Sequence, residues 1–291
     1  MLKRFRILFS LLLIFGVSPA LIAEESLNDY FPRTSGSFWV YEDQDGNRLT
    51  RHAVEEKTIE GETYHAFDYE PAVEDWMDYE HYVHPNFYQI RKDGIVFFVG
   101  DEVEKAFEAR LRKGMDADIK EQQGISTTSG ASADFSYAIE VDAQNDFYFL
   151  PTPVVFDKEW PAMRISGSIT LKLKIQSPDF QTPGGDRANA IPIALVEKGK
   201  VVGTETVKTP AGTFEDCVKI EYWMEDDRVV TKKGETAKPT TSDASDIEKS
   251  TLWLAPNVGI VKFIRTSTTS KVEKSLELTQ YEIISTGSEG E

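Results

Sequence analysis

Apolar positions recur along most of this chain with a period of two. That is the repeat of a β-strand with one face on a core and the other in water. Phe135, Tyr137, Ile139 and Val141 alternate with Ser136, Ala138, Glu140 and Asp142. Ile169, Leu171, Leu173 and Ile175 alternate with Ser168, Thr170, Lys172 and Lys174. Phe214, Val218, Ile220 and Tyr222 share one face, on which Asp216 is the exception. Ile95–Val99 is continuously apolar, the pattern of a central strand. Turn residues punctuate these runs at Asp45-Gly46-Asn47, Glu60-Gly61, Asp93-Gly94, Lys198-Gly199 and Pro256-Asn257-Val258-Gly259. Short turns between successive strands predict an antiparallel meander, because parallel units would need repeated helical crossovers.

One stretch keeps a different period. Val103, Phe107, Leu111, Met115 and Ile119 fall at successive i+4 spacings among Glu, Lys, Arg, Asp and Ala. This predicts one amphipathic helix over Asp101–Gln122, opened by two acids that suit its N-terminal dipole. Gly114 weakens its middle by about 1 kcal/mol relative to Ala. The stripe is expected to pack on the sheet. The fold class is therefore mainly β: a curved antiparallel sheet or open half barrel with one packed amphipathic helix. Polar segments at 123–133, 177–190 and 232–246 read as mobile loops, and 285–291 as a disordered tail. Residues 24–284 read as a single β-rich domain. Phe38-Trp39 and Glu159-Trp160 each begin a strand-rich stretch, too weak a repeat to divide it.

The N-terminus has the layout of a secretory signal peptide. Lys3, Arg4 and Arg6 precede an apolar run from Ile7 to Val17, followed by Ser18-Pro19-Ala20 and Leu21-Ile22-Ala23, which offer cleavage after Ala23 or after Ala20. The run falls well short of the roughly 20 residues a spanning helix needs. Cleavage after Ala23 takes three of the 32 basic residues and none of the 49 acidic ones, moving the net charge from −17 to −20. Such a surface argues against nucleic acid and anionic headgroups as partners, since both call for a basic footprint. No membrane span is expected after cleavage, and the expected location is a bacterial periplasm or the extracellular space. With one cysteine, no intrachain disulfide forms, so stability must come from packing.

Candidate chemistry is sparse. His81 and His84 form H-x-x-H, but residues three apart on a strand face opposite sides, and Pro85 follows at once. Glu70, Glu74, Asp75, Asp78 and Glu80 crowd around Trp76, Tyr79 and Tyr82, as carboxylates and aromatics do in sugar clefts. In so acidic a chain such a cluster reads first as a solvated loop. Asp43–Asn47 lacks the spacing of a calcium loop and reads as a hairpin turn. Cys217, flanked by Asp216 and near Glu215 and Glu221, reads as a half-buried structural thiol. No nucleophile elbow, phosphate loop or dinucleotide fingerprint is present, and no cofactor is implied.

Three segments resemble a recurrent set. Val207-Lys208-Thr209-Pro210-Ala211-Gly212-Thr213-Phe214 through Ile220 is similar to a "VxxPAGTFxxCxxV" segment. Thr251–Lys262, with Trp253, Ala255-Pro256 and Val258-Gly259, is similar to "WxAPxVGxVK". Tyr30-Phe31-Pro32 followed by Gly36–Tyr41 resembles "YFP…GxxWxY". These belong to exported bacterial β-rich proteins of unknown function. The resemblance implies a fold type and brings no catalytic residues. A curved sheet with a helix across its concave face is also similar, at the level of fold, to periplasmic lipoprotein carriers.

These patterns favour a non-catalytic exported binding or accessory protein holding a small apolar ligand in the concave face of the sheet. The candidate contacts are Phe107, Leu111 and Met115 on the helix, with Trp76 and Tyr79 from the aromatic–acidic patch. One alternative is a structural module that binds an envelope protein through an edge strand or that patch. A second is a hydrolase using carboxylates or a metal held by His81 or His84.

Overall fold

The computed structural model describes residues 30–72, 80–126, 132–176, 187–227, 231–232, 235–236, 248–266 and 271–284. The expected signal peptide, Trp76, Tyr79 and the tail at 285–291 lie outside the described residues.

The strands are β1 (Phe38–Asp43), β2 (Arg48–Ile59), β3 (Glu62–Glu70), β4 (Phe87–Arg91) and β5 (Gly94–Phe98). Helix α1 (Glu102–Ser126) follows, then β6 (Ser132–Ala143), β7 (Asp146–Pro151), β8 (Glu159–Gln176), β9 (Arg187–Thr209) and β10 (Gly212–Asp226). The two-residue strands β11 (Thr231–Lys232) and β12 (Glu235–Thr236) pair only with each other. β13 (Lys249–Ala255), β14 (Gly259–Thr266) and β15 (Val272–Glu282) end the series. Thirteen strands form one antiparallel sheet in the order β6-β8-β9-β10-β13-β14-β15-β1-β2-β3-β4-β5-β7. The predicted class is thus met: a mainly β fold with a large open antiparallel sheet and, among the described residues, one helix.

The two ends of this sheet are joined by the chain and not by a ladder. β6 ends the order on one side and β7 on the other, with only Gln144 and Asn145 between them. Gln144 N donates to the Arg164 carbonyl of β8, and the Asn145 carbonyl accepts from Val99 N beyond β5. Side chains complete the seam: Trp160 Nε1 donates to the Tyr148 carbonyl at 2.9 Å, and Tyr222 Oη to that of Phe149. The sheet therefore curls round without closing.

Its interior is filled by the chain's own rings. Phe31, Tyr82, Tyr88, Phe97, Phe147, Phe149, Tyr222 and Phe263 are buried and meet at centroid separations of 4.4 to 6.1 Å. Trp39 Nε1 and Tyr41 Oη reach across to the carbonyls of Val258 and Ile260, at 2.7 and 3.0 Å. Trp39 and Tyr41 thus keep their buried polar atoms hydrogen-bonded, whereas Tyr88 Oη has no such partner among the described residues.

Several boundaries differ from the sequence expectation. α1 begins one residue later and runs to Ser126, and β6 takes up Ser132 and Ala133. The expected loop at 123–133 is thereby shortened from both ends. Pairing of Ser132 with Gln176 supplies the ladder bonds that override its polar composition. β9 likewise claims 187–190 of the second expected loop, and Lys232 of the third pairs in β11. Lys198-Gly199 is not a turn but lies within β9. Gly199 is there because a Cβ would strike the Trp160 ring. Asp216, the exception on the β10 face, sits at φ 53° in a bulge between Phe214 and Cys217, which turns the acid outward. The hairpin at Asp43–Asn47 forms as expected. Asp43 Oδ1 accepts from Asp45 N and Asn47 N at 2.9 and 2.8 Å.

Candidate functional site

Where β10 and β14 finish and β13 and β15 begin, α1 crosses the rim of the curled sheet. Val103 and Ala106 bury the first turns of the helix. Glu102 accepts from Asn86 Nδ2 at 2.8 Å, and Glu104 Oε1 accepts from Ala143 N at 3.0 Å, capping the end of β6. Further along, Tyr137 Oη donates to Asp116 Oδ1 at 2.6 Å. α1 therefore runs antiparallel to β6, on the inner face of the sheet. Ion pairs Lys105–Asp101 and Arg112–Glu108 occupy its outer side.

Beneath the helix lies a cavity of about 780 Å³. Phe107 and Leu111 of α1, Tyr82, and Tyr222, Trp223 and Met224 of β10 supply its apolar lining. Charged groups of both signs share it. Glu80, almost fully buried, accepts from Arg265 Nη1 and lies 3.9 Å from Arg110 Nη2. Arg265 Nε lies 3.4 Å from Glu248 and 3.7 Å from Glu273. Glu197 of β9, also buried, faces His81 Nε2 at 3.1 Å. Lys113 adds a further cation from α1.

The turn that carries Glu80 and His81 is fixed from behind. His84 Nδ1 accepts from Glu80 N at 3.2 Å. Burial, aided by the nearby Lys274 charge, holds His84 down to a pKa of about 3, so its ring is neutral and serves as an acceptor. Tyr222, under the cavity floor, is pushed well above the ordinary phenol range by burial and by Glu197.

Of the residues expected to contact a ligand, Phe107 and Leu111 line this cavity together. Met115 continues the same half-buried stripe one turn further on, outside the lining. Trp76 and Tyr79 lie outside the described residues. His81 and His84 point to different partners, Glu197 and the Glu80 amide. Among the described residues no three His, Cys, Asp or Glu side chains converge as a metal set. Cys217 is fully buried where a half-buried thiol was expected. Its Sγ donates to the Phe214 carbonyl at 3.4 Å, and burial pushes the thiol up to about 11.

Sequence reasoning missed Arg110, Glu197 and Arg265. Glu197 did leave a signal: it follows Ile191, Ile193 and Leu195 at the same strand parity, a carboxylate on an otherwise apolar face. A shallow polar groove by Tyr64, His65, Arg91 and Asp146 is open to water, with Arg91 and Asp146 already paired at 2.7 Å. Arg51 is buried against Trp39 and Phe67, its guanidinium carbon 4.3 and 4.5 Å from the ring centroids. Its Nε and Nη1 have no hydrogen-bond partner among the described residues, so ring faces hold the charge.

A DUF3108-like family model matches residues 181–263, which span both Val207–Ile220 and Thr251–Lys262. Among solved structures, the chain is similar to a candidate lipoprotein from Parabacteroides distasonis, at 16% identity over 87% of this chain and 98% of that one, with a TM-score of 0.39. It is also similar to a candidate exported protein with a YmcC-like fold from Bacteroides fragilis, at 14% identity over 87% and 98% of the two chains, with a TM-score of 0.39. No curated protein matches the chain. No helix among the described residues is long and apolar enough to cross a membrane.

Proposed function

We propose that this chain is a non-catalytic exported binding protein, acting in the bacterial periplasm or outside the cell, that holds the apolar part of a small ligand beneath α1. The observation that carries this reading is the cavity of about 780 Å³ between Phe107 and Leu111 on the helix and Trp223 and Met224 on β10. Its size lies within the roughly 300–1,000 Å³ of small-molecule sites, and its lining combines apolar walls with a few convergent polar groups. The concave face deeper in is packed with the protein's own rings, so the ligand site is the rim and not the centre of the sheet. Removal of an apolar group from water at such a site contributes about 25 cal/mol per Å².

The test is native mass spectrometry of the full chain, exported with its own leader and recovered from the periplasm, beside an organic extract of the same sample. The expected result is a co-purifying mass with an apolar moiety that is lost in Leu111→Glu. Recovery of empty wild-type protein that also fails to bind any of a panel of fatty acids, alcohols and lysolipids overturns the reading.

A further inference from the structure

The cavity meets β9 at Glu197, where an apolar strip begins: Leu195, Ile193 and Ile191 follow on the same face of that strand. The register carries this face across three strands: Leu195 lies beside Ile165, Ile193 beside Gly167, and Ile191 beside Ile169. Gly167 and Ile169 in turn lie beside Val141 and Ile139 of β6. α1 stands over β6, tied to it by Tyr137 and Glu104. The strip on β8 and β9 is left half-covered: Ile193 and Leu195 are half-buried and Ile191 is 40% exposed. On the helix, Leu111, Met115 and Ile119 are half-buried as well. Apolar surface on β9 and on α1 thus continues beyond the residues that line the cavity. From Glu197 to Ile191 the β9 strip runs about 20 Å at the rise of a strand. That length suits a long alkyl chain and exceeds a compact ligand.

The cavity end carries charges of both signs at its rim. Glu248 and Glu273 stand beside Arg265, with side chains 56% and 43% exposed. Arg110, 42% exposed, stands with Lys113 on the helix side. A head with one sign of charge meets repulsion from one of these groups; a head with both satisfies each.

We infer that the ligand is a single-chain zwitterionic amphiphile, with its ammonium toward Glu248 and Glu273, its phosphate toward Arg110 and Lys113, and its chain along the apolar surface of β9 and α1. This rests on the binding reading above and gives it a ligand class.

The experiment titrates delipidated full-length protein with lysophosphatidylethanolamines of increasing chain length, and with an uncharged long-chain alcohol and a fatty acid of matching length. Affinity for the lysolipid is expected to rise about fourfold per added methylene until the strip is covered. It should exceed that of the alcohol and of the fatty acid by at least about tenfold. Ile193→Ser should weaken long-chain lysolipids and leave short ones unchanged. Arg110→Glu should weaken the lysolipid and leave the alcohol unchanged. Urea midpoints matching wild type show that these variants remain folded. Equal binding of lysolipid and alcohol overturns the head assignment while the binding reading stands. A plateau at short chains overturns the placement of the chain. No binding of any amphiphile overturns the inference and the reading together.

Discussion

The molecule has two regions built from the same sheet with opposite treatment of apolar surface. In the body, around Phe97, Phe147, Phe149 and Tyr222, every ring is covered by another ring. In the arm, formed by β6 and the far halves of β8 and β9, apolar residues face a helix that packs on β6 and leaves the inner face of β9 half-open. Interiors packed like the body lose heavily when atoms are removed, because the cavity left behind cannot collapse. A half-exposed strip loses little, since its residues are already partly wet. The contrast separates residues that hold the fold from residues free to serve a ligand.

The largest expected effect lies in the body. Phe147→Ala should cost about 3–5 kcal/mol, read as a drop in the urea midpoint at constant slope. A loss below about 1 kcal/mol would erase the distinction between body and arm. Next comes pH. His84 is neutral in the fold to about pH 3, whereas in the unfolded chain it protonates near 6.5. Between those values the unfolded state binds the extra proton, so stability falls as pH falls. The slope approaches about 1.4 kcal/mol per pH unit at most. His84→Asn keeps an acceptor for Glu80 N and removes the titration, so its urea midpoint should be flatter between pH 6 and 4. Parallel profiles for the two proteins would refute the assignment.

Glu80→Gln sits at the border of the two regions. It removes the carboxylate that meets Arg265 while Glu248 and Glu273 remain near that guanidinium. The expected loss is about 1.5–3 kcal/mol by thermal melting, since a buried charged hydrogen bond is replaced by a weaker one. An unchanged melting temperature would place Glu80 with the arm and not the body.

The strands and helix of the arm were more legible in the sequence than the charged site. Alternation at Phe135–Val141 and Ile169–Ile175 marks β6 and β8, and the i+4 stripe marks α1, because local periodicity survives any tertiary arrangement. Gly199 was misread as a turn because a glycine making room for Trp160 looks the same in sequence as one relieving a positive φ. The parity break at Asp216 needed a bulge that no residue type announces. The charged cavity was out of reach for a different reason. Glu80 and Arg265 are 185 positions apart, and only the sheet order that sets β15 between β14 and β1 brings such segments to one rim. Phe107 and Leu111 were found because a helix displays its apolar face locally; Arg110, between them, looked like ordinary surface.

The smallest effect on stability is expected in the arm, and there it carries the most information. Ile191 is 40% exposed and pairs in register with Ile169, so Ile191→Ala removes little surface that folding had buried. The urea midpoint should shift by less than the equivalent of about 0.5 kcal/mol. A strip with only a structural role would then show no other phenotype. If the strip is instead the outer end of a ligand site, the same substitution shortens the apolar contact available to a long chain and leaves a short chain untouched. Binding of long-chain lysolipid should fall several-fold with the fold intact, and that split between stability and affinity is what the body, where every side chain is committed to packing, cannot produce.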